Sequence, residues 1–372
     1  MINPNYFFDF LKKNKVTFFA GVPDSILKNT KNYLNKINNK NHIVTANEGL
    51  AVSACVGYHL STNNLACAYM QNSGLGNALN PLISIAHQKV YSIPMLLLIG
   101  WRGSPGMKDE PQHELKGKIT PDLLQLLGIK YCTLSKDKDF NKLKKLILHA
   151  KRNKQPVACL IKKNTFEALN SKKKINIKKK INSLKRVNFI NELLSQINKK
   201  TKIVATTGFT SRELNQIRND KKIKKGSDFY MVGGMGHSSM VALGASLKSR
   251  ENIICLDGDG SFLMHLGAIV SVAKNAGNNF KHILLNNYSH ESVGGQPTNI
   301  EKLNLKNLVK SAGYKKFYII KNIRQTKKTL NKFIKSKGPS FLEVKIKSGS
   351  MESLKRPKDF LKIKKNFMKS FK

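Results

Sequence analysis

Short apolar runs recur along this chain, separated by longer stretches with helical spacing. "LACAYM", "IPMLLLIGW", "VACLIK", "IICLDG" and "HILLNN" are such runs. Strands alternating with helices in this way build a parallel sheet covered by helices on both faces. At 372 residues the chain has room for two domains of ordinary size. The expected class is therefore α/β, with two doubly wound parallel-sheet domains.

The two halves echo each other. The first reads as a Gly/Ala-rich helix ("EGLAVSACVGYHLS"), a polar turn, the strand "LACAYM" and the glycine loop "QNSGLGN". The second reads as "GGMGHSSMVALGASL", a charged turn, the strand "IICLDG" and the glycine loop "DGSF". Similar topology in both halves follows, as a duplication would give. Residues 1–170 form the expected first domain and residues 187–350 the second. The charged run "SKKKINIKKKINSLKR", 171–186, reads as their linker, and residues 351–372 as a basic tail carrying a peripheral helix.

Two strand ends carry the chemistry. The run "IICL" ends at Asp257, and "GDGS" turns the chain into a helix expected near Phe262. The run "HILLNN" ends in amides. In open parallel sheets, ligands bind at the C-terminal strand edge. Asp259 and Asn287 are 28 residues apart, the length of one helical crossover between adjacent strands. Their oxygens can converge beside a helix start that favours phosphate, a setting that suits Mg2+. Alone, "GDG" is mostly a turn; with the double Asn at crossover distance it is far more specific.

Composition narrows the partners. There are 66 Lys and Arg against 22 Asp and Glu, a formal net charge of +44. Such charge suits a polyanion, but Lys and Asn are spread everywhere rather than gathered on one motif. No zinc-finger spacing, aromatic RNA-binding strand or basic zipper accompanies them. Neither a nucleic-acid nor a membrane partner is expected. Cys55, Cys67, Cys132, Cys159 and Cys255 form no CxxC pair and are odd in number, which points to a reducing compartment. The start "MINPNYFFDFLKKNK" lacks a signal pattern, and the longest apolar run falls far short of the roughly 20 residues of a membrane helix. A cytoplasmic location is the expectation.

The pattern of "GDG" and the double Asn resembles the thiamine diphosphate enzymes. The resemblance implies that Asp259, Asn287 and the carbonyl of Ser289 ligate Mg2+, tying the cofactor's diphosphate to the protein. "ANEGLAVSACVGYHLS" is similar to the family's activating-glutamate segment, which places that role on Glu48. Read alone, the segment favours Glu48 as a helix-start carboxylate behind an Asn47 cap; with the second half present, the activating role is favoured. "VGGMGHSS" resembles the segment that wraps the cofactor, with Met235 as its apolar wedge; a methionine filling a core gap fits as well. Gly234, Gly258, Gly260 and Ser261 complete the implied cofactor contacts. The usual small residue after the double Asn is Tyr288 here.

Longer segments, "FFAGVPDSILK", "YMQNSGLGNALNPL", "GWRGSPGMKDEPQH" and "LLNNYSHESVGGQPT", are similar to the family's branch of 2-oxo-acid decarboxylases. They imply decarboxylation of 3-phosphonopyruvate to 2-phosphonoacetaldehyde, with 3-sulfopyruvate or another 2-oxo acid as the alternative. One chain holding both halves, together with "HESVGGQPT", favours the phosphonate, because sulfonate enzymes commonly keep the halves on separate subunits. Asp24, His113 and His290 are the candidate proton carriers, and Arg102 and Lys108 the candidate cations for a small anionic substrate. Family members place the cofactor between the first domain of one subunit and the second domain of another. A homodimer or larger even oligomer is thus implied.

Overall fold

The computed structural model describes residues 1–38, 40–168, 184–220 and 228–371. Most of the expected linker, 171–183, lies outside them. The chain divides into two units, Met1–Ile175 and Asn176–Lys372.

The first unit holds β1 (Val16–Gly21), β2 (His42–Val44), β3 (Leu65–Gln71), β4 (Met95–Gly100), β5 (Lys130–Leu134) and β6 (Val157–Ile161). They pair only in parallel, in the order β2-β1-β3-β4-β6-β5. Strands with helices on both sides lose their polar alternation, and every residue of β4 and β6 is buried. Successive side chains still point to opposite faces. Cys67, Leu96 and Leu98 pack into one core, whereas Ala66, Ala68, Met95 and Leu97 pack into the other.

The second unit holds β7 (Lys202–Ala205), β8 (Asp228–Tyr230), β9 (Ile253–Gly258), β10 (Phe280–Asn286), β11 (Lys316–Ile320) and β12 (Ser340–Lys345). Its sheet, also parallel, runs β11-β12-β10-β9-β7-β8. Read from its other edge and numbered within the unit, this is the strand order of the first. The two units share one topology.

In both, the chain reverses direction across the sheet beside the unit's first strand. That switch leaves a crevice at the C-terminal strand ends, β1/β3 in one unit and β7/β9 in the other. Thr206, just past β7, donates to Ser261, just past β9, at 2.8 Å across the second crevice.

Two boundaries differ from expectation. The last residues of the expected linker are folded: Leu184 is buried, Lys185 bridges to Lys347, and Arg186 opens the helix Arg186–Gln196. The basic tail carries the helix Phe360–Lys369, whose Phe367 joins the second unit's core beside Phe229, ring centroids 5.5 Å apart. Among the described residues no helix is long and apolar enough to cross a membrane.

Candidate active site

β9 and β10 are neighbours, with Leu285 level with Gly258. The residues that follow their tips therefore meet. Asp259 is already the first residue of a short helix, Asp259–Met264, so the helix begins ahead of the expected Phe262. Short polar and glycine residues mimic a turn in sequence, but here they are the helix's first turn.

Asp259 Oδ2 accepts from the Ser289 N–H at 3.0 Å and from the Thr298 hydroxyl at 3.1 Å. Its Oδ1 accepts from the Gly260 N–H at 2.9 Å. The same Ser289 N–H lies 3.2 Å from Asn287 Oδ1. A carboxylate, an amide oxygen and the Ser289 backbone thus come together at one point. Asn287 Nδ2 donates to Glu291 Oε2 at 2.9 Å, which turns the amide's nitrogen towards that carboxylate.

Asp259 is only 5% exposed and makes no ion pair among the described residues. Burial pushes its carboxyl up to about 6, against the pull of its hydrogen bonds. A buried carboxylate held only by neutral donors is a place for a cation.

The first Asn of the pair does something else. Asn286 Nδ2 donates to Glu343 Oε1 on β12 at 2.9 Å, and its Oδ1 accepts from the Tyr288 N–H. Tyr288 sits at φ +62, in the left-handed region where a side chain is disfavoured.

A cavity of about 90 Å³ opens beside these groups, lined by Thr206, Met235, Gly258, Asp259 and Asn287 among others. Ser261 Oγ ties its walls together, accepting from the Thr206 hydroxyl and, at 3.1 Å, from the Gly236 N–H. Gly258 has ordinary φ, and only Thr206 Cγ2, 3.9 Å away, would approach a Cβ there. A side chain at 258 would fill space the cavity now keeps. Gly260 is required by packing, since a Cβ would stand 2.7 Å from His290 Nδ1. Met235 Cε lies near the same point, and Gly234 takes φ +63. His290 is buried, which lowers its imidazole to about 4 and leaves it neutral.

Beneath this site, Cys255, Asp257 and His282 bring their donor atoms within 4.8 Å of one another. His282 Nδ1 pairs with the Tyr314 hydroxyl at 3.0 Å, and Asp257 Oδ1 accepts from the Gly258 N–H. This cluster is closed within the core.

In the first unit, Glu48 opens the helix Glu48–Thr62, and Asn47 caps it by accepting from the Leu50 N–H at 3.0 Å. The carboxylate nevertheless turns inward and is 5% exposed. Its Oε2 accepts from Asn77 Nδ2 at 2.7 Å, and Gly74 packs against it so closely that no Cβ would fit. Asp24 is buried three residues past the end of β1. Its Oδ2 accepts from the Ile26 and Leu27 N–H groups, while Oδ1 has no hydrogen-bond partner among the described residues. Burial lifts this carboxyl to about 6.

Arg102 is not an open cation. Its guanidinium grips Asp109 with two nitrogens and Ser25 Oγ with the third, at 3.0 Å. Lys108, in the same loop, is exposed. His113 lies half-buried near the start of the helix Pro111–Leu126, with its backbone carbonyl against Gly103.

Comparison with known proteins bears on both units. Residues 4–126 match the thiamine pyrophosphate enzyme N-terminal TPP-binding domain, and residues 206–344 the C-terminal TPP-binding domain. Phosphonopyruvate decarboxylase of Streptomyces viridochromogenes is 32% identical over 92% of this chain and 88% of its own length. That of Streptomyces hygroscopicus is 32% identical over 92% and 87%. The chain belongs to the thiamine pyrophosphate enzymes.

Within that family, sulfopyruvate decarboxylase of Methanosarcina acetivorans is 27% identical over 96% of this chain and 97% of its own length. That relative also carries both halves in one chain. The single-chain arrangement therefore does not separate phosphonate from sulfonate enzymes, and that part of the sequence argument falls.

The structure also brings to these places residues that spacing did not reveal. Asn77 holds Glu48 from 29 residues away, a contact no local pattern encodes. Arg186, hidden in a lysine-rich run, lines the cavity and pairs with Glu213 at 3.3 Å and Glu291 at 2.6 Å. Glu291 stood in view in "HESVGGQPT", but nothing local marked it as a partner of Asn287.

Proposed function

We propose that this thiamine pyrophosphate enzyme decarboxylates 3-phosphonopyruvate to 2-phosphonoacetaldehyde and CO2, using thiamine diphosphate held with Mg2+. The observation that carries the site is the convergence of Asp259 and Asn287 on Ser289. Asp259, Asn287 and the Ser289 carbonyl would hold the ion, an all-oxygen donor set that suits Mg2+. Charge supports this reading. Among the described residues lining the cavity the cation is Arg186, and it is committed to two glutamates. A bound diphosphate would need a divalent cation to meet its charge.

Met235, Gly258, Gly260 and Ser261 line the cavity proposed for the cofactor, and Gly234, at φ +63, turns the chain ahead of Met235. When bound, thiamine diphosphate supplies the electron sink for loss of CO2. Glu48, buried and oriented by Asn77, would hold the proton shared with the cofactor's aminopyrimidine nitrogen.

The departing CO2 must be replaced by a proton. Asp24, which keeps its proton to about pH 6, is the candidate donor whose state best fits that task. His113 and His290 are the other candidates, and His290, being neutral, would act as an acceptor or hydrogen-bond partner. Lys108 is the cation left for the substrate's charged groups, with Arg102 shaping the loop through Asp109. A homodimer or larger even oligomer completes the proposal.

The substrate choice rests on the Streptomyces relatives, which are the more similar and are named for phosphonopyruvate. Steady-state rates on 3-phosphonopyruvate and 3-sulfopyruvate test it. The phosphonate should give the higher kcat/KM, and faster turnover of the sulfonate would reassign the enzyme.

A further inference from the structure

An asparagine that ligates a metal must present oxygen rather than nitrogen. Its two amide orientations are nearly the same shape, so something else has to choose between them. At Asn287 two contacts bear on the choice. The Ser289 N–H faces Oδ1 at 3.2 Å, but it is shared with Asp259. Glu291 Oε2 accepts from Nδ2 at 2.9 Å and can serve only the correct orientation. A flipped amide would set its oxygen against a carboxylate.

Glu291 is itself locked. Arg186 donates to the same Oε2 at 2.6 Å, and the Gly349 N–H donates to Oε1. Arg186 in turn meets Glu213, which is 1% exposed at its side chain. Both oxygens of Glu291 thus face donors, and the group cannot rotate away without breaking a charge-assisted bond.

We infer that Glu291, held by Arg186, is the positioning residue that fixes the amide of Asn287 with its oxygen towards Asp259, and so sets the affinity of the site for its divalent cation. The inference rests on the proposed metal role of Asn287. Partners that orient a metal ligand typically account for about 10- to 100-fold in metal affinity.

The test reads binding rather than turnover: the Mg2+ concentration at half-maximal thiamine diphosphate retention, by equilibrium dialysis. Glu291→Ala removes the acceptor. Glu291→Asp keeps a charge near Arg186 and withdraws the acceptor by one methylene, which covers the case in which the alanine variant does not fold. Either should raise the Mg2+ midpoint by about tenfold. Both are repeated in an Asn287→Asp background, where either oxygen of the new carboxylate can face the metal while the other meets the Glu291 carboxylate in a like-charge contact. There Glu291→Ala removes that repulsion and should leave the midpoint unchanged or lower it rather than raise it, a non-additivity expected of coupled neighbours.

An equal shift in both backgrounds would mean that Glu291 only holds the fold together, and no shift in either would remove it from the site. Asn287→Ala is the separate control. If it leaves the Mg2+ midpoint unchanged, the ligand assignment itself fails, and the inference with it.

Discussion

Asp24 shows at residue scale how burial sets the chemistry of one group. It is buried, one of its oxygens has no partner among the described residues, and its carboxyl is lifted to about 6 by burial. In an unfolded chain the same group titrates near 3.9. Between these values the folded state binds the extra proton, so stability falls as pH rises through this window. Above it, the ionised group costs about 3 kcal/mol relative to its state at low pH. Asp24→Asn keeps an acceptor for the Ile26 and Leu27 amides and cannot ionise. Relative to the parent, the variant should gain stability as pH rises from about 4 to about 6.5, as followed by chemical denaturation, while losing decarboxylation. A stability difference independent of pH would contradict the burial of an ionisable carboxyl here. An acid kept protonated close to neutrality would serve the proposed role of Asp24 as proton donor, at that cost to folding.

At the scale of elements, what could be read in advance was what parallel sheets impose. β9 and β10 are buried throughout except for the last residue of β9. They read as apolar runs, and the first polar residues after them mark the sheet's C-terminal edge. Asp259 and Asn287 were therefore legible as a pair. The helix start at Asp259 was not, because Gly and Asp suit a turn and a first helical turn equally. Asn77 and Arg186 act through contacts between distant segments, and periodicity carries no information about those. The terminal helix Phe360–Lys369 lies between these cases. Its basic character was plain, but its anchor was not singled out. Phe367 is 9% exposed and packs on Phe229 and Phe371, ring centroids 5.5 and 5.2 Å away. Phe367→Ala should lower the stability of the second unit by about 3 kcal/mol, the usual cost of emptying such a site. Thermal unfolding should show the loss while Mg2+-dependent cofactor affinity, measured well below the transition, stays within about twofold. A large fall in affinity would instead give this helix a part in the site.

At the scale of the whole molecule, the two units repeat one strand order and divide the chemistry between them. The first positions Glu48 at the start of the helix between its second and third strands. The second positions Asp259 at the tip of its third strand and Asn287 just past its fourth. Neither unit holds both the proposed proton partner and the proposed metal ligands, so under the proposed function one cofactor would draw on both. The proposed dimer, in which each cofactor takes one unit from each of two chains, makes a quantitative prediction. Glu48→Gln and Asp259→Ala chains should each be inactive alone. Assembled together at random from equal amounts, half the dimers pair one of each. In such a dimer one site carries both lesions and the other carries neither, so the mixture should recover about a quarter of parental activity. If each site drew both units from a single chain, every site would keep its own lesion and mixing would restore nothing. The mixed assembly, measured by CO2 release after co-expression of differently tagged chains, therefore separates the two arrangements without any change to the substrate or the metal.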